Sequence, residues 1–204
     1  MRHFLLLGRG INVLPLACEI LRQEHLWRED TYLRDYPQGP FRDVETIFLR
    51  FPPASVTELE RSQRDQHECV WMDGSLHLPS ARPLIFGLMQ QVSGERLGRV
   101  MINKIRPGGR IYPHADTPAH AAYYSRYHYV VMSTPGVSFR CADETVPMQT
   151  GDLWWFDNSL EHEVVNNSAQ DRIHLIIDVR CHQVAFKGIT PTTAPEPSTE
   201  VQAP

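Results

Sequence analysis

His114 and Asp116 stand two residues apart in a segment, Arg110 to Asp116, that follows a glycine turn and is expected to run as a strand. Side chains at i and i+2 of a strand leave the same face roughly 6.5 to 7 Å apart, close enough for an imidazole and a carboxylate to meet on one ion. An isolated H-x-D is weak, since chance supplies about half of one in a chain with this histidine and aspartate content. The pair gains weight from its company: His162 lies 48 residues beyond His114, and Arg172 follows ten residues after that. Two histidines and one carboxylate form the facial set that binds non-haem Fe(II) with three coordination positions open. A keto-acid cosubstrate can take two of these and dioxygen the third. The far carboxylate of such a cosubstrate needs a cation in a dry interior, and the guanidinium fork of Arg172 matches it with two parallel hydrogen bonds.

The elements that must position these residues read as strands. From Leu97 onward, the runs Val100–Ile105, Tyr127–Met132, Val137–Cys141, Leu153–Phe156, Glu163–Val165 and Ile173–Val179 are separated by turn residues such as Pro107-Gly108-Gly109 and Thr134-Pro135-Gly136. Many short strands at this spacing predict an antiparallel sandwich or barrel. Arg172 stands at the start of the last run, and His174, two residues on, is expected to share its inward face. Earlier in the chain, Asn12 is expected to cap a helix ending near Trp27, with Val13, Ala17, Ile20 and Leu21 on one face. Thr46–Phe51 reads as a strand stopped by Pro52-Pro53, and Pro83 to Val92 reads as a second helix. The predicted organisation is an N-terminal α/β extension over 1–96 packing on a β core over 97–186, then a tail over 187–204. The stretch Thr190 to Pro204 holds four of the sixteen prolines and is expected to be disordered.

Composition narrows the function classes. The chain has 204 residues, is 42% hydrophobic and 22% charged, and carries a formal net charge of −4, which fits one globular domain. Without a basic stripe, nucleic acid is not an expected partner. No apolar run approaches the roughly 20 residues that cross a bilayer, so no membrane partner is expected. Met1 to Cys18 imitates an export signal, but Gly8-Arg9-Gly10 and Asn12 interrupt its apolar run, and a cytoplasmic address is expected. The four cysteines are widely separated and read as reduced thiols.

The segment from Gly151 to Asn166 is similar to the second motif of cupins, with Asp157 and Ser159 replacing the usual proline and glycine. The segments Pro107 to His114, Phe139 to Thr145 and Phe156 to Val164 resemble the aspartyl/asparaginyl β-hydroxylase family, over about Asn103 to Arg180 in all. The resemblance implies a mainly β, double-stranded β-helix (jelly-roll) core carrying Fe(II) and 2-oxoglutarate, which with O2 hydroxylates an unactivated C–H. Position by position it implies His114 and His162 as iron ligands and Arg172 as the partner of the 2-oxoglutarate tail. It places Arg126 and His128 near cosubstrate and substrate, and Asn103 beside the distal carboxylate. Asp116 is a departure, because the animal member has glycine there; this chain is therefore expected to use the full His114–Asp116–His162 triad. The implied substrate is an amino-acid-like small molecule or an aspartyl/asparaginyl-type peptide residue. The alternatives are a cupin-type metalloprotein acting as isomerase or hydrolase, and a ligand-binding jelly roll with no turnover.

Overall fold

The computed structural model describes residues 1–36, 39–53, 65 and 67–181; the expected tail over 187–204 lies outside them. Among the described residues the strands are β1 (Phe4–Gly8), β2 (Val44–Phe51), β3 (Val70–Trp71), β4 (Gly94–Ile105), β5 (Arg110–His114), β6 (Ser125–Met132), β7 (Val137–Cys141), β8 (Glu144–Val146), β9 (Leu153–Phe156), β10 (His162–Asn166) and β11 (Arg172–Cys181). The helices are α1 (Leu14–Arg22), α2 (Tyr32–Asp35), α3 (Gly74–His77), α4 (Ala81–Gln91) and α5 (Pro118–Tyr123). A seven-stranded sheet has the order β1-β9-β6-β11-β4-β2-β3, and a four-stranded sheet has the order β5-β10-β7-β8. All the pairings are antiparallel, which makes a mainly β jelly roll with helices added at the N-terminal side.

Period-two alternation sorts the large sheet's side chains onto two faces. Ile173, Leu175, Ile177 and Val179 of β11, with Tyr127 and Tyr129 of β6, pack outward against Leu16 and Ile20 of α1 and Ile85 and Leu88 of α4. Each Leu or Ile taken fully out of water there contributes about 1.5–3 kcal/mol. The other face meets the small sheet: Phe4, Val130, Trp154 and Phe156 pack on Ile111, Phe139 and Val164. With both faces covered, β11 is buried from Arg172 to Val179. The polar residues of its inner face, Arg172, His174 and Asp178, are therefore held without solvent. Trp154 and Trp155 fall into opposite clusters, as alternation requires.

Several expectations are corrected. The first helix stops at Arg22 instead of running to Trp27, because Gln23 leaves helical backbone geometry (φ −114°, ψ 46°), and a 3-10 turn covers Glu24–Arg28. Asn12 does not occupy the cap position, which is Val13, but its Oδ1 accepts the Leu14 N–H at 3.2 Å. The export-like run is β1, an edge strand paired with β9 from Phe4↔Phe156 onward. Its continuous apolar run gave no alternation to read as a strand. Moreover, β1 and β2 belong to the same sheet as β4, β6, β9 and β11, and the division drawn at residues 96 and 97 falls inside β4.

Candidate metal centre

The two histidines are brought together by strand register. In the β5–β10 ladder His114 lies directly opposite His162, and their ring centroids are 4.3 Å apart. The ladder shifts between His162 and Val164, so that two residues of β10 span three of β5. The extra residue falls beside Pro113, which has no N–H to offer the ladder. Each imidazole is fixed by its neighbour's carbonyl: His114 Nδ1 donates to Tyr112 O at 2.8 Å, and His162 Nδ1 to Leu160 O at 2.9 Å. A carbonyl can only accept, so both rings carry their proton on Nδ1 and turn the Nε2 lone pair away from it, as metal-ligating histidines do. His114 Nε2 is buried without a hydrogen-bond partner among the described residues. Burial pushes both imidazoles below their ordinary range, and for His162 the neighbouring His114 adds to it.

Asp116 joins them by a different route from the expected strand. β5 ends at His114, and the Asp116 N–H bonds Asn158 O at 3.2 Å across the turn between β9 and β10. Its carboxylate Oδ2 accepts from Asn158 Nδ2 and Arg126 Nη1, each at 2.8 Å. Burial alone would raise this carboxyl, but the Arg126 charge outweighs it and holds the group below the usual range. One ligand atom from each of His114, Asp116 and His162 lies within 4.8 Å of the others. A buried His162 beside half-buried His114 and Asp116, a bare Nε2 and a carboxylate with one oxygen uncommitted suit a divalent metal, so the residues fit the ion.

The triad lines a cavity of about 80 Å³ whose wall also includes Asn103, Arg126, His128, Arg99, Phe51 and Met101. Asn103 takes the Thr46 hydroxyl on Oδ1 at 3.0 Å, leaving its amide N–H groups as donors. Arg126 lies on the wall, but all three of its nitrogens meet carboxylates, Asp116 on one side and Asp178 on the other. The Arg99 guanidinium lies 5.3 Å from the Phe51 ring and has no carboxylate partner among the described residues.

Behind the wall lies a chain of buried polar groups. His128 Nδ1 is 3.3 Å from His174 Nδ1, which accepts from Arg172 Nη2 at 2.8 Å. Because a guanidinium only donates, His174 must carry its proton on Nε2. Arg172 Nε and Nη1 and His174 Nε2 are consequently three buried N–H donors with no acceptor among the described residues. No carboxylate among those residues lies within ion-pair distance of Arg172, and burial pushes its guanidinium down to about 9. Burial and the Arg172 charge hold His128 and His174 well below the ordinary imidazole range, so both are neutral. Unpaired buried donors cost stability, and a cation among them makes an anionic oxygen ligand the natural complement.

The structure thus brings His114, Asp116, His162, Arg126, His128 and Asn103 to one cavity, with Arg172 one step deeper. Sequence reasoning passed over Asn158, Asp178 and Arg99. Asp178 was readable by alternation, being on the same face of β11 as Arg172 and His174. His120 sits in α5 and donates from Nε2 to Asp178 Oδ2 at 2.8 Å.

Among the described residues no helix is long and apolar enough to cross a membrane. The fold is similar to a crystal structure described as an oxidoreductase of the 2OG-Fe(II) oxygenase family from Burkholderia pseudomallei. The TM-score is 0.52 at 15% identity, over 84% of this chain and 91% of that one. In sequence the chain is 32% identical over 90 residues to the aspartyl/asparaginyl beta-hydroxylases of Homo sapiens and Mus musculus. Those 90 residues are 44% of this chain and 12% of each relative's length. The family described as aspartyl/asparaginyl beta-hydroxylase matches over residues 63–181, more than half of the chain. With the jelly roll and the convergent His-Asp-His cluster, this match makes the chain a member of the aspartyl/asparaginyl β-hydroxylase family.

Proposed function

We propose that the protein is an Fe(II)- and 2-oxoglutarate-dependent hydroxylase of an amino-acid-like small molecule or an aspartyl/asparaginyl-type peptide residue. The observation that carries this reading is the pairing of a largely solvent-shielded His-Asp-His cluster with a buried guanidinium on the facing sheet that has no carboxylate partner among the described residues. His114, Asp116 and His162 would hold the metal. When bound, Fe(II) supplies the activation of dioxygen that oxidises the cosubstrate and then the substrate C–H.

The chain's own residues bind, orient and keep the site dry. Nδ1 hydrogen bonds to Tyr112 and Leu160 hold the imidazoles in the ligating tautomer. Arg172 and the His174 Nε2–H offer donors to the distal carboxylate of 2-oxoglutarate, and His128 and Asn103 line the cavity wall. Phe139 and Phe156 flank His128 and His162 with apolar edges, excluding water where it would compete for the metal. With Arg126 committed to two aspartates, Arg99 is the cation on the wall left to meet an anionic group of the substrate. The free thiols Cys18, Cys69, Cys141 and Cys181 fit a reducing, cytoplasmic setting.

The test is succinate release from 2-oxoglutarate with Fe(II) and oxygen, in the presence of a metabolite and peptide extract searched for products heavier by one oxygen. Succinate formation that depends on the protein, together with such a product, is expected. Tight Fe(II) binding with no 2-oxoglutarate binding under anaerobic titration would replace the reading with a cupin-type metalloprotein.

A further inference from the structure

We propose that Arg126, gripped from behind by Asp178 and supported there by His120, is a positioning residue that presents a single oxygen of Asp116 to the metal. The inference rests on the metal reading above and adds to it residues that would touch neither metal nor cosubstrate.

Asp116 needs such a device because nothing in the sheet holds it. It lies two residues beyond the end of β5, outside the ladder that fixes the two histidines. Arg126 and Asp178, by contrast, are a directly opposed pair in the β6–β11 ladder, at the centre of the large sheet. Arg126 Nε meets Asp178 Oδ1 at 2.8 Å and Nη2 meets Oδ2 at 3.0 Å, the two-toothed geometry that fixes a guanidinium plane. His120 Nε2 donates to Asp178 Oδ2 at 2.8 Å, so this carboxylate is held from both sides. Once that plane is fixed, the direction of Nη1 is fixed as well, and Nη1 reaches Asp116 Oδ2 at 2.8 Å.

Asn158 Nδ2 reaches the same Oδ2, also at 2.8 Å. Both bonds on one oxygen leave Oδ1 as the oxygen for the metal and favour one-oxygen over two-oxygen coordination. The rigid fork matters, since a lysine would supply charge without direction. Asp178, Arg126 and His120 are all buried, with Asp178 wholly so. The arrangement also accounts for an arginine on the cavity wall whose charge is already matched by two carboxylates.

The experiment is a titration of metal-free protein with cobalt(II), without 2-oxoglutarate or oxygen, following the d–d absorption band for both affinity and coordination geometry. Asp178→Asn and Arg126→Lys are each expected to weaken Co(II) binding about 10- to 100-fold and to change the band, as losses of residues behind metal ligands do. The decisive comparison is a double-mutant cycle with Asp116→Ala, in which the two histidines retain weaker Co(II) binding. If Asp178 acts through Asp116, Asp178→Asn shifts Co(II) affinity by less than about threefold in the Asp116→Ala background. An equal loss in both backgrounds overturns the proposal, as does unchanged affinity and band in the folded single variants. Should Asp178→Asn fail to fold, His120→Gln removes one hydrogen bond from Asp178 and carries the same cycle. Absence of Co(II) binding by the parent protein would instead sink the metal reading itself.

Discussion

Replacing Arg172 by methionine should move the stability of the free protein and its affinity for 2-oxoglutarate in opposite senses. In the ligand-free chain this guanidinium is wholly buried, Nη2 donates to His174, and Nε and Nη1 have no acceptor among the described residues. Burial lowers it to about 9, which leaves it charged at neutral pH. Exchanging poorly compensated buried charge for an apolar side chain of similar length is neutral or stabilising by about 1–4 kcal/mol. The metal-free, ligand-free Arg172→Met protein should therefore unfold in urea no more easily than the parent. Binding goes the other way: truncating one partner of a buried, hydrogen-bonded charge pair costs about 2–5 kcal/mol. That is a loss of roughly 30-fold to several thousand-fold in 2-oxoglutarate affinity. Calorimetric titration of the Mn(II)-loaded protein with 2-oxoglutarate in the absence of oxygen measures it, alongside urea curves of the free protein. A free variant destabilised by more than about 2 kcal/mol would mean that the guanidinium already has a partner worth keeping. An affinity within about threefold of the parent, equivalent to ~0.7 kcal/mol, would place the anchor elsewhere.

Other perturbations test separate parts of the same reasoning. His162→Ala should abolish metal binding and turnover while the far-UV spectrum of the metal-free protein is retained; metal affinity equal to the parent's would remove His162 from the site. His128 and His174 are held well below 6.5, so the unfolded chain takes up protons first as the pH falls. Stability of the free protein should be full above pH 6.5 and decline below it, by up to on the order of 2 kcal/mol per histidine at pH 5. A urea midpoint at pH 5 as high as at pH 8 would contradict this. A Cβ added at Gly98 would lie 2.7 Å from the Tyr124 ring and 3.1 Å from Asp178 O, and Tyr124 is buried. Gly98→Ala should therefore cost about 1–3 kcal/mol by overpacking, and an unchanged melting temperature would show that the ring yields freely. Once a substrate is in hand, Arg99→Gln should raise its KM with little change in 2-oxoglutarate affinity; an unchanged KM would remove Arg99 from substrate recognition.

Residue types and spacing were enough to point to the site, because period-two alternation is local. Arg172 and His174 share a face of β11 whatever surrounds the strand, and the same rule places Arg126 and His128 together on β6. The cupin-like segment from Gly151 to Asn166 likewise carries a glycine with φ +86° and a histidine that opens β10. Local rules failed where the chain leaves a ladder. Asp116 was expected in a strand and is instead held by Asn158 and Arg126 from other elements. β1 was unreadable because a run that is apolar on both faces shows no alternation to detect.

Two histidines, a carboxylate and a cation on a β core were legible along the chain, since chemistry and alternation are properties of residues and their near neighbours. The folded arrangement is what sets His114 opposite His162 and turns the nitrogens of Arg126 to Asp116 and Asp178. It alone decided that Arg172 is left among bare donors. Those facts depend on strand register and on which sheet face closes over which. Both are set by packing between residues dozens of positions apart, and no local window contains them.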